Sequence, residues 1–224
     1  IPPYDHPDVM AGQGTVALQG FNAFDGTAKS GFVATAQGGM DFGAASVDLS
    51  APVFVADGGA ATTLVTTGAM GLHASQGTAL ARDGLGGSLT LRAADIDDSM
   101  NLKAAAGGLA LDATQGGIHV AAGTTLDAGG VIRQFFDTAA YAPGGNLALS
   151  ATGDITIDDG ASMRYGGAAE AGDAGSFKAV AGGALTLGGT YDGHAADGYR
   201  GGYFTIGTGG ALDLDSLAGL VAAS

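Results

Sequence analysis

The sequence predicts an all-β fold, a right-handed parallel β-helix, from three observations. The composition is rich in Gly and Asp, short apolar-x-apolar triplets recur at long spacing, and paired glycines precede many of those triplets. Of 224 residues 43 are Gly, while 46% are hydrophobic and 13% charged. Such a chain can bury a core and carries too little charge to be held open by self-repulsion. Glu170 is the single Glu among 22 acidic residues, so the acid is almost all Asp, which suits turns better than helix surfaces.

The clearest triplets are "LTL" at Leu89, "IHV" at Ile118, "LAL" at Leu147, "FKA" at Phe177 and "FTI" at Phe204, whose first residues are separated by 29, 29, 30 and 27 positions. A second element follows about eight residues later: "TLD" at Leu126, "ITI" at Ile155, "LTL" at Leu185 and "LDL" at Leu212. A weaker third comprises "VIRQ" 131–134, "SMRY" 162–165 and "TYD" 190–192. Three short strands per coil of about 27–30 residues follow from these spacings.

Alternation within each triplet places Leu147, Leu149, Ile155, Ile157, Leu185 and Leu187 inward, with Ala148, Thr156 and Thr186 outward. The double glycines at 86–87, 107–108, 116–117, 144–145, 182–183 and 209–210 suit sharp corners between strands. Stacking at this period would also set Arg133 beside Arg164, with Asp192 beyond them. An antiparallel sandwich uses short strands and frequent turns as well, but it has no need of the long regular spacing.

Two stretches are expected: an extended lead segment, residues 1–15, marked by Pro2, Pro3 and Pro7, and a single β-helix domain, residues 16–224. The coils are irregular to about residue 85, where strand candidates show no stable register, and regular over 86–224. From Phe204 only 21 residues remain, so the last coil is expected to be incomplete and its Leu212, Leu214, Leu217 and Leu220 covered by something.

A net charge of −14 argues against a nucleic-acid partner, since nothing would neutralise a row of phosphates. The absence of Cys excludes a disulfide scaffold and thiolate metal sites. No run of about 18 apolar residues occurs, so no spanning helix and no membrane insertion are expected. "IPPYDHPDVM" lacks the apolar stretch of a signal peptide, and any export signal is expected outside this chain.

Paired carboxylates for glycoside chemistry have three candidate groups: Asp95, Asp97 and Asp98; Asp154, Asp158 and Asp159; Asp213 and Asp215. Asp beside Gly in turns is mainly a backbone cap, and that is the expected role. His6, His73, His119 and His194 show no metal-like pairing. No cofactor is called for; stacked Asp turns would admit calcium, although "GGALDL" departs from the calcium nonapeptide pattern at its fourth and sixth positions.

Binding is expected on the segments that follow the third strand in three consecutive coils: 137–145, 166–176 and 193–202. A regular helix would stack them along one edge, where Tyr141, Glu170, Asp173, His194, Asp197, Tyr199 and Arg200 share a surface.

The strings "GG-x-L-x-L", "GDITI" and "GGALTLGG", densest from Gly86 to Leu214, resemble the repeat region of filamentous haemagglutinin-like exoproteins, the large adhesins exported by two-partner secretion in Gram-negative bacteria. The resemblance implies a structural, non-enzymatic shaft segment of a secreted adhesin or extracellular filament. Its partners would be further coils of the same exoprotein, head-to-tail copies of itself, and a glycan or other receptor on a host or neighbouring cell. The family's secretion domain carries Asn-Pro motifs that this chain lacks, so the resemblance implies an internal or carboxy-terminal portion of a larger exoprotein, or a processed subunit. A carbohydrate-active β-helix enzyme, a lyase or hydrolase, is the alternative from another class.

Overall fold

In the computed structural model, residues 8–11, 13–82, 84–212 and 217 are described. Short strands separated by Gly-rich corners leave the chain no local partner for its backbone groups, so each strand pairs with the strand one coil away. The first three coils run β1 (Asp8–Ala11), β2 (Gly14–Ala17), β3 (Ala23–Thr27); β4 (Gly31–Ala34), β5 (Gln37–Asp41), β6 (Ser46–Ala51); and β7 (Val53–Ala56), β8 (Ala61–Val65), β9 (Met70–Ala74). The chain continues through β10 (Ser88–Ala93), β11 (Ile96–Asp98), β12 (Asn101–Lys103), β13 (Gly108–Ala113), β14 (Ile118–Val120) and β15 (Thr125–Asp127). A hairpin, β16 (Ile132–Phe135) and β17 (Thr138–Tyr141), interrupts the winding. It resumes as β18 (Asn146–Ala151), β19 (Ile155–Ile157), β20 (Ser162–Arg164), β21 (Ser176–Ala181), β22 (Leu185–Leu187), β23 (Thr190–Asp192) and β24 (Tyr203–Thr208).

Three parallel sheets result. Sheet A has the order β1-β4-β7-β12-β15-β20-β23, sheet B β2-β5-β8-β10-β13-β18-β21-β24, and sheet C β3-β6-β9-β11-β14-β19-β22. The molecule is a parallel β-helix with three strands per coil, as the sequence predicts.

The inward columns are as expected: Leu147, Leu149, Ile155, Ile157 and Leu185 are buried, Leu187 is partly buried against them, and Ala148, Thr156 and Thr186 face out. At the carboxy-terminal end the core turns aromatic. Phe177 stacks on Phe204 with ring centroids 5.1 Å apart, and Tyr191 meets both edge-on at 5.0 and 5.2 Å.

The register differs from the sequence expectation in one respect. Along sheet B, Leu89 pairs with Leu109 and Leu109 with Leu147, steps of 20 and 38 residues whose mean is 29. Ile118 belongs to sheet C, between Ile96 and Ile155, and Leu126 to sheet A, between Leu102 and Met163. The additional strand is "GLALDA", Gly108–Ala113, and the hairpin inserted after β15 lengthens the following step. Arg133 therefore sits in the hairpin opposite Ala140, and Arg164 stands between Asp127 and Asp192 instead of beside Arg133.

Over residues 14–74 the pairing is regular: Gly14 to Gly38 and Gly38 to Thr62 are each 24 residues, and Phe24 to Val47 and Val47 to Met70 are each 23. After β9 the described residues of 75–87 form no strand, and β12 pairs directly with β7. The segment lies back over sheet A: Leu80 N donates to Ser30 O at 3.1 Å, and Arg82 Nη1 to Asp57 Oδ2 at 2.9 Å. Under this strap both faces of β4 and β7 are buried, including the outward Val33, Val53 and Val55.

Glycines make the close coil stacking possible at one corner in particular. Ahead of sheet B, a Cβ at Gly107 would overlap the carbonyl oxygen of Gly87, one at Gly145 that of Gly107, and one at Gly175 that of Gly145. The recurring corner glycine thus provides a column in which backbone rests on backbone.

Candidate functional site

The segments after sheet A in consecutive coils do stack along one edge, as their positions predict. Gly130 N donates to Gly166 O and Gly167 N to His194 O, each at 2.8 Å, while Gly144 N donates to Asp173 O at 2.9 Å and Ala174 N to Arg200 O at 2.8 Å. Beneath them the Tyr165 ring fills the space that side chains at Gly193 and Gly202 would need, so the last loop lies close on the aromatic core.

Two side-chain pairs tie these loops to one another. Tyr141, the last residue of β17, donates its hydroxyl to Glu170 Oε2 at 2.8 Å, and this bond, with lesser contributions from desolvation and the charges of Glu170 and Tyr199, holds its phenol above the usual range. Asp173 accepts three bonds from Arg200: backbone N at 2.9 Å, Nε at 3.0 Å and Nη2 at 2.8 Å. The backbone bond and then the guanidinium keep the Asp173 carboxyl below its ordinary value.

His194 turns back on its own loop, with Nδ1 3.2 Å from Asp192 Oδ1. Asp197 lies in the exposed turn closed by Tyr199 N donating to Ala196 O at 3.0 Å. Tyr199 is 48% exposed, and Tyr203 at the start of β24 is 67% exposed. Tyr203 is not among the residues that the loop positions single out, because it lies in a strand, β24, just beyond the last loop.

A second feature lies on the outer face of sheet C. The column Asp48, Gly71, Asp97, His119, Thr156 borders a groove of about 460 Å³ that also includes His73, Asp95 and Asp154. His119 bridges three coils: Nδ1 is 2.9 Å from Asp97 Oδ1 and Nε2 3.1 Å from Asp158 Oδ2. Burial pushes the imidazole down, but the bonds and charges of the two carboxylates outweigh it, and its pKa is raised. His73 pairs in the same manner with Asp48, at 3.1 Å. These partners are 22 to 39 residues apart in sequence, so spacing gave no sign of them.

The paired-carboxylate candidates divide accordingly. Asp95 Oδ1 accepts from Gly117 N at 2.9 Å and Asp154 Oδ1 from Ala184 N at 2.7 Å, so both cap the next coil, the role expected of them. Asp98 departs from that role. It points into the core from β11, fully buried, with Oδ1 accepting from Met100 N at 3.0 Å and Oδ2 without a partner. Burial raises its pKa from 3.8 to about 8. Asp213 and Asp215 lie outside the described residues, as do His6, Leu214 and Leu220.

Among the described residues no group of three or more His, Cys, Asp or Glu is arranged to hold a metal ion, and no helix is long and apolar enough to cross a membrane. Comparison with protein-family models, with curated proteins and with solved structures found no match. The parallel β-helix therefore rests on the strand pairing alone, and it is a fold compatible with an adhesive shaft and with an enzyme.

Proposed function

We propose that the chain is a shaft segment of a secreted adhesin or extracellular filament at the surface of a Gram-negative bacterium, of the filamentous haemagglutinin-like kind. The observation that supports this reading most is the coil-on-coil organisation, in which each coil is covered by the next and side-chain display is concentrated in loops along one edge. Solenoids of this kind extend by adding coils, so further coils of the same exoprotein or head-to-tail copies are its natural neighbours. The test has two arms. Small-angle scattering should give an elongated profile, and beads coated with the chain should adhere to cell monolayers above the level of albumin-coated beads. A near-spherical profile, or beads that adhere no better than albumin, would overturn the proposal.

The carbohydrate-active alternative draws on the sheet C groove and its carboxylates. Its groups, however, are already engaged: Asp95 and Asp154 by backbone N–H groups and both His119 nitrogens by carboxylates. Release of reducing ends or unsaturated sugars from a polysaccharide panel, lost in Asp97→Asn, would establish it over the shaft.

A further inference from the structure

Among the described residues the exposed aromatic side chains are Phe21, Phe136, Tyr141, Tyr199 and Tyr203, and the three tyrosines share one edge. Tyr141, Tyr199 and Tyr203 all belong to the edge of stacked loops, with exposures of 37%, 48% and 67%. Tyr199 precedes Arg200, whose backbone N–H and guanidinium hold Asp173 of the preceding coil, and Tyr203 N donates to nearby Gly175 O at 3.0 Å. The Tyr141–Glu170 and Arg200–Asp173 pairs join one loop to the next along this edge. The edge therefore brings aromatic rings and planar polar groups together on backbone that is hydrogen-bonded from coil to coil.

We propose that this edge binds a neutral glycan chain laid along the coil axis. This rests on the adhesive reading above and assigns the class of receptor to it. Three properties of the edge favour that ligand over others. The C–H faces of a pyranose pack on aromatic rings while its hydroxyls need donors and acceptors held at the ring edges, which Glu170, Asp173 and Arg200 supply. Coils rise by about 4.8 Å, comparable with the length one pyranose adds to an extended glycan, so equivalent loops meet successive sugars. The net charge of −14 repels acidic polymers, and Arg200 at this edge is already paired with Asp173.

Isothermal titration and saturation-transfer NMR would be run on the 224-residue chain with cellohexaose, laminarihexaose, mannohexaose and a heparin hexasaccharide. At least one neutral hexasaccharide should bind, and the heparin fragment should not. Tyr199→Ala and Tyr203→Ala should each weaken binding by about tenfold at unchanged melting temperature, because both side chains are largely exposed. Tyr199→Phe should stay within about twofold, since the ring face is retained. Failure of all three neutral sugars to bind, stronger binding of the heparin fragment, or binding indifferent to both Ala substitutions would each overturn the proposal. A chain that binds no sugar yet keeps its elongated scattering and bead adhesion retains the shaft reading and loses this one.

Discussion

Asp97 and His119 occupy the same outward column of sheet C in adjacent coils, with Oδ1 2.9 Å from Nδ1, and Asp158 closes on the other imidazole nitrogen from the following coil. The raised pKa of His119 means that the native state holds this proton more tightly than the unfolded chain. Its contribution to stability is complete below the ordinary value of 6.5 and is lost as pH rises through the higher native value. Imidazole titration by NMR should give a His119 midpoint above 6.5, lowered in Asp158→Asn. A midpoint unmoved by that substitution would show that the carboxylate does not hold the ring.

Asp98 has the larger consequence. Its carboxyl keeps its proton to about pH 8 in the folded chain but loses it near 3.8 when unfolded, so stability falls as pH rises between those values and levels off above. Each pH unit in that window costs about 1.4 kcal/mol. Asp98→Asn, matched in shape and without charge, should be more stable than the parent by several kcal/mol at pH 9, with the difference closing toward pH 4. Denaturant unfolding at four pH values measures this, and a difference independent of pH would refute the buried neutral acid.

The glycine column gives a sharper contrast. Gly145→Ala pushes a Cβ into the backbone of Gly107 and should cost about 2–4 kcal/mol. At Gly201 the nearest atom to a Cβ is Gly193 O at 4.0 Å, and Gly201→Ala should change stability by less than about 0.5 kcal/mol. Equal melting temperatures for the two variants would contradict the stacking of backbone on backbone.

At the tip of the hairpin, Phe136 has φ 53° and its side chain is 102% exposed, at a turn position that normally takes Gly. Phe136→Gly should therefore leave thermal stability unchanged or raise it by up to about 1 kcal/mol. A clear fall in melting temperature would reveal packing of that ring against the body of the protein.

Much of this architecture was legible in the sequence because the Leu and Ile columns of sheets B and C alternate cleanly, as in Leu147–Leu149 and Ile155–Ile157. The register failed where coil length varies. The step from Leu89 to Leu147 spans two coils of very unequal length, and Ile118 happens to fall at its midpoint. Before residue 75 the alternation is masked for a different reason: sheet B has Gly38 and Gly39 where side chains are expected, and β4 and β7 are apolar on both faces because the strap covers them. The stacking of the edge loops followed from their sequence positions. The cross-coil pairs at His119 and His73 did not, since they depend on a register in which partners lie more than 20 residues apart.

The bypass at 75–87 also bears on how the chain reaches this state. In most of sheet A the strand joined to its neighbour is the one about 22 to 37 residues earlier, but Phe54 meets Leu102 across 48. The additional entropy of closing that larger loop is only about 0.6 kcal/mol for a doubling in length, too little to weaken the finished structure. Kinetically it matters more, because winding that advances one coil at a time cannot carry sheet A past β7 until β10 and β11 are already in place. Hydrogen-exchange labelling during refolding should therefore find β10 and β11 protected, on β8 and β9, before β12 joins β7.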